Sequence, residues 1–514
     1  MVNAKPQNEG GLSMPTTDAE DLFGSVCDQQ LFELTCALVK SGLVFVSEQE
    51  KGDAYIGTYS DIPEMQTSDS GMPRFRKLLS GPRDYKTMFQ ERIFDSVART
   101  LGGEAQKPRF ESKSQPEFET LKQHMRDSPA LWKHLMASHS VDIEKAFFDI
   151  EVELFIKYQI DRYIHINGTT DFTVTRFLPI YLPYETARMR EVLSVNIWIP
   201  ILFVLCNFPD EVVLDAGVFL RKIPDDLQLA REHVSRNDPG IHGIVSDSAT
   251  HAFVLTNYEV PNTYYAEWAN ISTTPAAYPT EKIDLLFAML RLVSGVDTGY
   301  AQLLMEQLGW AFTYEANLTP MTGASVRRYP PTFEEYYWNR RDLPTLDSAK
   351  VDMLGDLYRR VLAIADEKSR NRILLATRRL NQCLVRENEQ DAILDATSAL
   401  EALLTPGDNV EITHKLATRL AALSRLGIGG DSPWTIFKNV KKIYGYRSSV
   451  IHGDISRIQK TNTIQMSGTE MVPSVKVATD YLRSALEIVI RHPEYLDSSK
   501  IDENLLLHFG GQPS

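Results

Sequence analysis

Arg447 and His452 are the residues whose types and spacing best suit a chemical step. Histidine titrates near neutrality, so it can accept and return a proton under physiological conditions. The planar fork of arginine matches the shape of a phosphoryl group. Metal-free cleavage of RNA needs a base for the attacking 2′-hydroxyl, an acid for the leaving oxygen and a cation for the charge that builds on the phosphoryl oxygens. One Arg447/His452 pair supplies one proton-transfer group and one cation. Between residue 346 and Asp497 the histidines are His414, His452 and His492. A site with two histidines is therefore most simply made by His452 from each of two protomers.

An Arg-x4-His spacing recurs by chance, so its setting matters. Arg236 and His242 make a similar pair with one more residue between them. They flank Asn237-Asp-Pro-Gly240, a turn with no rigid scaffold. Arg447 and His452 instead close a patterned helical stretch that Gly453 stops. From Ser432 to Gly453 there is no acid, and Lys438, Lys441, Lys442 and Arg447 give +4, in a chain whose net charge is −14. This local patch is the expected contact for RNA phosphates, because the surface as a whole repels nucleic acid. Tyr444 and Tyr446 interleave with the basic residues. An aromatic can stack on an unpaired base, although the place of Tyr444 on the apolar stripe favours a core role. Glu401, among Leu400, Leu403 and Leu404, either orients Arg447 or His452 or forms an ion pair that holds the helices. Ser448 and Ser449 could bond phosphate, and Tyr446 and Asp454 complete the supporting set. The alternative reading makes His452 a cation at a helix C-terminus, Arg447 a salt-bridge partner and the lysines a solvated face.

Tyr446-Arg-Ser-Ser-Val-Ile-His-Gly453 resembles the Arg-Ser-x-x-x-His-Gly signature of HEPN domains. Upstream, Ala399-Leu-Glu-Ala-Leu403, a Pro-Gly-Asp segment and the Leu416-Ala-Thr-Arg-Leu420 helix resemble the Apea-like branch of that family. The resemblance covers residues 370 to 495. It implies a helical bundle that dimerises and joins two Arg/His pairs in one cleft. Many such proteins are ribonucleases of antiphage or toxin systems; others are binding modules without activity.

The elements that must position these residues follow from hydrophobic period. Val351 to Asp366, Arg370 to Arg386 and Asp391 to Leu404 read as amphipathic helices. Asp408-Asn-Val-Glu411 resembles a capping box before a helix with Ile412, Leu416, Leu420 and Leu423 on one face. Ser432 caps the next helix, Pro433 suits its first turn, and Ile436, Val440, Ile443 and Tyr444 form its apolar stripe. Residues five apart on an ideal helix lie about 140° apart, so Arg447 must reach around or the helix must distort near Gly445. A loop from Gly453 to Pro473 and a last helix with Val477, Tyr481, Ala485, Ile488 and Val489 complete a bundle.

The first two thirds are less regular. Ala130 to Ile166 reads as helix, ended by Asn167-Gly168. Residues 169 to 262 read mostly as strands, including Asp171 to Phe177, Leu193 to Phe208, Glu211 to Leu220 and His251 to Tyr258. Helix is expected again at Ile283 to Leu292 and Ala301 to Leu308. Pro-rich breaks near residues 330 and 343 place a boundary near 345.

The expected class is α+β: a disordered tail over 1–20, a mixed helix-and-strand region over 21–345, and an all-helical domain over 346–514. Four scattered cysteines form no CxxC, which suggests neither a disulfide framework nor a zinc cluster and suits a reducing cytosol. The N-terminus lacks the segments of a signal peptide, and the longest apolar stretch is too short for a bilayer. No P-loop, HExxH or Gly-x-Ser-x-Gly motif occurs, and His134 and His139 lack a third ligand. The expectation is a cytoplasmic, cofactor-free, metal-independent endoribonuclease that acts on RNA as a homodimer. Its N-terminal region would restrain it or sense a ligand. The second expectation is a non-catalytic dimerisation or RNA-binding module.

Overall fold

Strand and helix are both present in quantity, as the α+β expectation required. The structure, a computed structural model, describes residues 3–4, 26–52, 64–76, 85–88, 109–136, 144–235, 240–262, 265–314, 318–336, 342–407, 410–427, 431–466 and 470–507.

Asn3–Ala4 (β1) pairs with a later strand, although it falls in the expected tail; residues 5–20 lie outside the described set. Helix Gln29–Lys51 (α1) and the hairpin Glu64–Thr67 (β2) and Pro73–Arg76 (β3) follow. Then come helices Pro116–Asp127 (α2), Pro129–Met136 (α3), Glu144–Asn167 (α4) and Val174–Met189 (α5). Helix α1 is long and apolar enough, by length and composition, to cross a membrane. Its Leu31, Phe32, Leu38, Val39, Leu43 and Val46 are buried in a core shared with α2, α4 and α5.

The stretch Asp171 to Phe177, expected as a strand, is instead the entry to α5. Thr173 caps it by accepting the Arg176 N–H, and Phe177, Ile180, Tyr181 and Tyr184 continue one buried helical face. Seven alternating residues were too short a window to show that longer period.

Six strands then build an antiparallel sheet in the order β10-β9-β4-β8-β7-β6, with β1 added beside β8. They are Val192–Pro200 (β4), Glu211–Asp215 (β6), Val218–Lys222 (β7), His251–Pro261 (β8), Tyr300–Gln307 (β9) and Met321–Arg328 (β10); the short Leu205–Asn207 (β5) stands apart. Helices Asp225–Ser235 (α6), Gly243–Asp247 (α7), Tyr265–Thr273 (α8) and Thr280–Ser294 (α9) lie between strands. The region 169–262 is thus less strand-rich than expected. Ala301 to Leu308, expected as helix, is the inner strand β9. Both faces of this sheet are covered. Val195, Ile197, Leu303 and Met305 face α9, while Trp198, Val254, Ala301 and Leu304 pack with Leu227 of α6 and Val245 of α7. A strand buried on both sides has no alternation to distinguish it from a helix.

After Thr332–Tyr336 (α10) the chain forms strand Thr345–Asp347 (β11), which pairs in parallel with β5. Helices Ser348–Leu362 (α11), Glu367–Val385 (α12), Glu389–Leu404 (α13), Ile412–Leu423 (α14) and Pro433–Ile451 (α15) follow. The expected loop 453–473 contains helix Ile455–Thr461 (α16) and a hairpin, Thr463–Gln465 (β12) with Met471–Pro473 (β13). Helix Ser474–Arg491 (α17) packs beneath α13 and α15. This part is therefore mostly, not purely, helical. Glu411 holds the cap position of α14, with a left-handed φ of 55°, not the third helical position; Asp408, the other end of the expected capping box, lies outside the described residues.

The expected boundary near 345 falls inside a continuous core. One cluster of buried apolar residues runs from Ala187 through the sheet and α9 into α11, α13, α15 and α17, as far as Ile501. Arg359 of α11 donates to the Leu214 carbonyl of β6 at 2.5 Å.

Candidate functional site

Helix α15 starts as its sequence dictates. The Ser432 hydroxyl accepts the Thr435 N–H at 3.1 Å, and Pro433 occupies the first turn. Ile436, Val440, Ile443 and Tyr444 are buried in the bundle. Asn439, also buried, donates to the Tyr481 hydroxyl on α17 at 3.0 Å, which fixes the rotation of α15 about its axis. The helix runs without a break through Gly445 to Ile451, and His452 follows as its C-cap residue. Gly453, with a φ of 66°, turns the chain away. The helix does not distort to bring Arg447 and His452 together.

Arg447 leans toward α13. Its Nη2 lies 3.4 Å from Glu401 Oε1, and its guanidinium carbon is 5.6 Å from the centre of the Tyr444 ring. The same Glu401 oxygen accepts the Tyr444 hydroxyl at 2.8 Å. Burial, and then the Glu401 charge and hydrogen bond, push the Tyr444 phenol up, so it stays a neutral donor. Arg447 Nε is buried and has no hydrogen-bond partner, so part of the guanidinium's bonding capacity is unspent.

His452 is exposed, and among the described residues its ring has neither a hydrogen bond nor an ion pair. Within one chain, then, the arginine faces its neighbouring helix and the histidine faces solvent.

The supporting residues divide. Ser448 is half-buried and its carbonyl accepts the His452 N–H at 3.1 Å. Ser449 is buried and its hydroxyl donates to the Gly445 carbonyl at 2.8 Å, so it has no free group for phosphate. Tyr446 is buried too, which prevents it from stacking on a base. Asp454 caps α16: its carboxylate accepts the Arg457 N–H at 3.1 Å and the Ser456 hydroxyl at 3.0 Å. Those bonds hold its carboxyl below the usual range.

Lys438, Lys441 and Lys442 are all exposed, and none has an ion-pair partner among the described residues. They stand beside two aromatics that sequence reasoning passed over. Trp434 is 64% exposed, and its ring stacks on Phe437 with centroids 5.4 Å apart and planes 7° apart. Lys438 Nζ lies 5.7 Å from the Trp434 ring centre and Lys441 Nζ 5.1 Å from that of Phe437. His414 of α14 meets Phe437 edge-on at 5.8 Å. The signal was available: Trp434, Lys438, Lys441, Gly445, Ser448 and His452 recur at helical spacing along one line. A Cβ built on Gly445 meets nothing within 4 Å, so the middle of that line is open.

The chain matches no known protein family, no curated protein and no solved structure.

Among the described residues no group of three or more His, Cys, Asp or Glu is placed to hold a metal ion. What the site offers chemically is a proton-transfer group in solvent, a partly engaged guanidinium turned toward α13, and a track of lysines with one exposed and one half-buried ring that leads to His452.

Proposed function

We propose that this chain is a metal-independent endoribonuclease of the HEPN type, working as a homodimer and serving as a regulated antiphage or toxin effector. The observation that carries the reading is the solvent-facing line of α15, which runs from the Trp434 stack past unpaired lysines to an unpartnered His452. Single-stranded nucleic acid is held by rings that stack on bases and by cations that follow the backbone. In the proposed reaction His452 takes the proton of the substrate's 2′-hydroxyl as that oxygen bonds to phosphorus. The P–O5′ bond breaks, and the departing 5′-oxygen takes a proton from His452 of the partner subunit. Arg447, whose side chain is 29% exposed, neutralises charge on the non-bridging oxygens. The products carry a 2′,3′-cyclic phosphate and a 5′-hydroxyl.

The test is cleavage of single-stranded RNA by the purified full chain in EDTA. The wild type should yield cyclic-phosphate ends and leave DNA intact. His452→Ala should slow cleavage by ~10²–10⁴, the usual size of lost acid/base help. Full cleavage by a well-folded His452→Ala dimer would remove the mechanism.

A second reading has its own observation. The contact of Arg447 with Glu401 and Tyr444 is also what a brace between α13 and α15 needs. On that reading the chain is a non-catalytic dimerisation or RNA-binding module attached to a ligand-sensing region. It predicts RNA binding without cleavage.

A further inference from the structure

A buried arginine stands without a counter-ion where the sheet meets the helical bundle. Arg291 of α9 is 2% exposed. Its Nε donates to the Thr298 carbonyl at 3.1 Å, its Nη2 donates to the same oxygen, and its Nη1 donates to the Asn381 amide oxygen on α12. These acceptors are all neutral, and among the described residues Arg291 has no ion pair. The Asp297 carboxylate, whose charge reaches it, is bonded instead to Arg483 at 2.7 Å. Burial pushes the Arg291 guanidinium down to about 10, despite the pull of Asp297 and Tyr300. A charge taken out of water is costly unless an opposite charge meets it.

Arg291 lines a cavity of about 60 Å³, together with Asp284, Tyr300, Arg328, Arg378 and Asn381. That space holds a few water molecules or one tetrahedral oxyanion, and it is too small for a nucleoside. The lining carries three guanidinium groups and one carboxylate, a net charge of +2. Arg328 is exposed, and among the described residues its side chain has neither a hydrogen bond nor an ion pair. Arg378 meets Glu281 at 2.8 Å, but the two side chains are 44% and 74% exposed, and a pair so open to solvent is weak. The Asp284 carboxylate accepts the Tyr300 hydroxyl. Burial pushes its carboxyl up, and Arg328, Arg291 and Arg378 oppose that rise.

We propose that this cavity binds inorganic phosphate as the counter-ion of Arg291. A dianion balances the charge of the lining, and the planar forks of arginine suit its oxygens. Asp284 decides which oxyanion is accepted. A carboxylate repels a bare anionic oxygen but accepts a hydrogen bond from a protonated one. Phosphate keeps a proton at neutral pH and can donate it; sulfate keeps none. Asp284, Arg291, Tyr300 and Arg328 belong to α9, β9 and β10, whereas Arg378 and Asn381 belong to α12, so the bound ion ties the sheet to the bundle. The inference does not rest on the ribonuclease reading, because it is read by binding alone.

The experiment uses the full-length chain, freed of phosphate by exchange into a chloride buffer. Calorimetry and melting curves follow its titration with inorganic phosphate, with sulfate and with adenosine 5′-monophosphate. Phosphate should bind at micromolar to low-millimolar concentration and raise the melting temperature, as a ligand of the folded state does. Sulfate should bind at least ~10-fold more weakly, because it leaves the carboxylate facing an oxygen with no proton between them. The nucleotide should also bind more weakly than phosphate, since its nucleoside has no room. Arg328→Ala removes an exposed side chain without internal bonds. It should melt like the wild type and bind phosphate ~10–100-fold more weakly, the worth of a hydrogen bond between charged groups. Asp284→Asn should narrow the gap between phosphate and sulfate, which a merely structural carboxylate would leave unchanged. No binding of phosphate up to millimolar concentration overturns the proposal. So does equal affinity for sulfate, tighter binding of the nucleotide, or unchanged phosphate affinity in Arg328→Ala.

Discussion

Arg447 and Tyr444 share a single oxygen of Glu401, the guanidinium at 3.4 Å and the phenol at 2.8 Å. The phenol holds the carboxylate still, and the carboxylate sets the direction of the arginine. Glu401→Gln keeps an oxygen for Tyr444 but removes the charge. It should lower RNA cleavage by a smaller factor than Arg447→Ala, for which ~10²–10³ is expected when a transition-state donor is lost. Arg447→Lys should rescue poorly, because lysine lacks the fork. Both partners are about a quarter exposed, 29% and 25%, so the melting temperature should move little. Thermal melts and single-turnover cleavage on the same preparations separate this from a bracing role, in which stability falls and cleavage was never present.

Trp434 should matter for RNA and not for folding. Replacing it by alanine should cost ~1–3 kcal/mol of single-strand binding, the usual worth of one base–ring stack, while Trp434→Phe retains most of it. Each of Lys438→Ala, Lys441→Ala and Lys442→Ala should lower the slope of log K against log salt by ~0.7 if it removes one phosphate contact. Titrations of a labelled oligonucleotide at several salt concentrations give both quantities. Unchanged slopes would make the lysines a solvated face only.

Acid should destabilise the sheet through His251. Burial, with Lys222 adding repulsion and Asp210 opposing it, pushes its imidazole down to about 4 from 6.5. The unfolded chain takes up this proton below 6.5 and the folded chain does so only near 4, so unfolding gains protons between them. The stability is fully present above the higher value and is lost as pH falls through the window. His134, pushed down to about 4 by burial and by Arg188 and Lys133, acts in the same sense. Melting temperature measured from pH 7 to 4 should fall less steeply in His251→Gln than in the wild type. Parallel curves would show that the ring does not titrate in this way.

Gly299 should tolerate no side chain. A Cβ built there comes 2.0 Å from the Arg328 carbonyl oxygen and 2.7 Å from the Tyr329 Cα, both backbone atoms that cannot rotate aside. Gly299→Ala should cost ~1–3 kcal/mol, as overpacking does, with chemical denaturation as the readout. Gly445→Ala, in open space, serves as the control and should not destabilise.

The sequence was most legible where one face of an element is wet. Helices α12, α13, α15 and α17 were placed within a few residues because charged positions mark their outer faces. It was least legible where both faces are dry, as at β9, or where a short window hid a longer period, as at the start of α5. At the candidate site, residue types suggested the Arg447 and His452 roles. Sequence could not say that Ser449 and Tyr446 turn inward, because that depends on which neighbours close over α15. Trp434 stands ahead of the lysines in the sequence, whereas Tyr444 and Tyr446, which follow them, are the aromatics that the bundle buries.

The core that runs from Ala187 to Ile501 determines what can be transplanted. A graft of residues 346–514 onto another scaffold would carry α11 with its sheet-facing side stripped. Leu354, Leu357 and Tyr358, dry here, would meet water. The portable unit therefore begins near the end of α5 and includes the sheet. In any rearrangement of the gene, the sheet and the Arg447/His452 helix must travel as one piece.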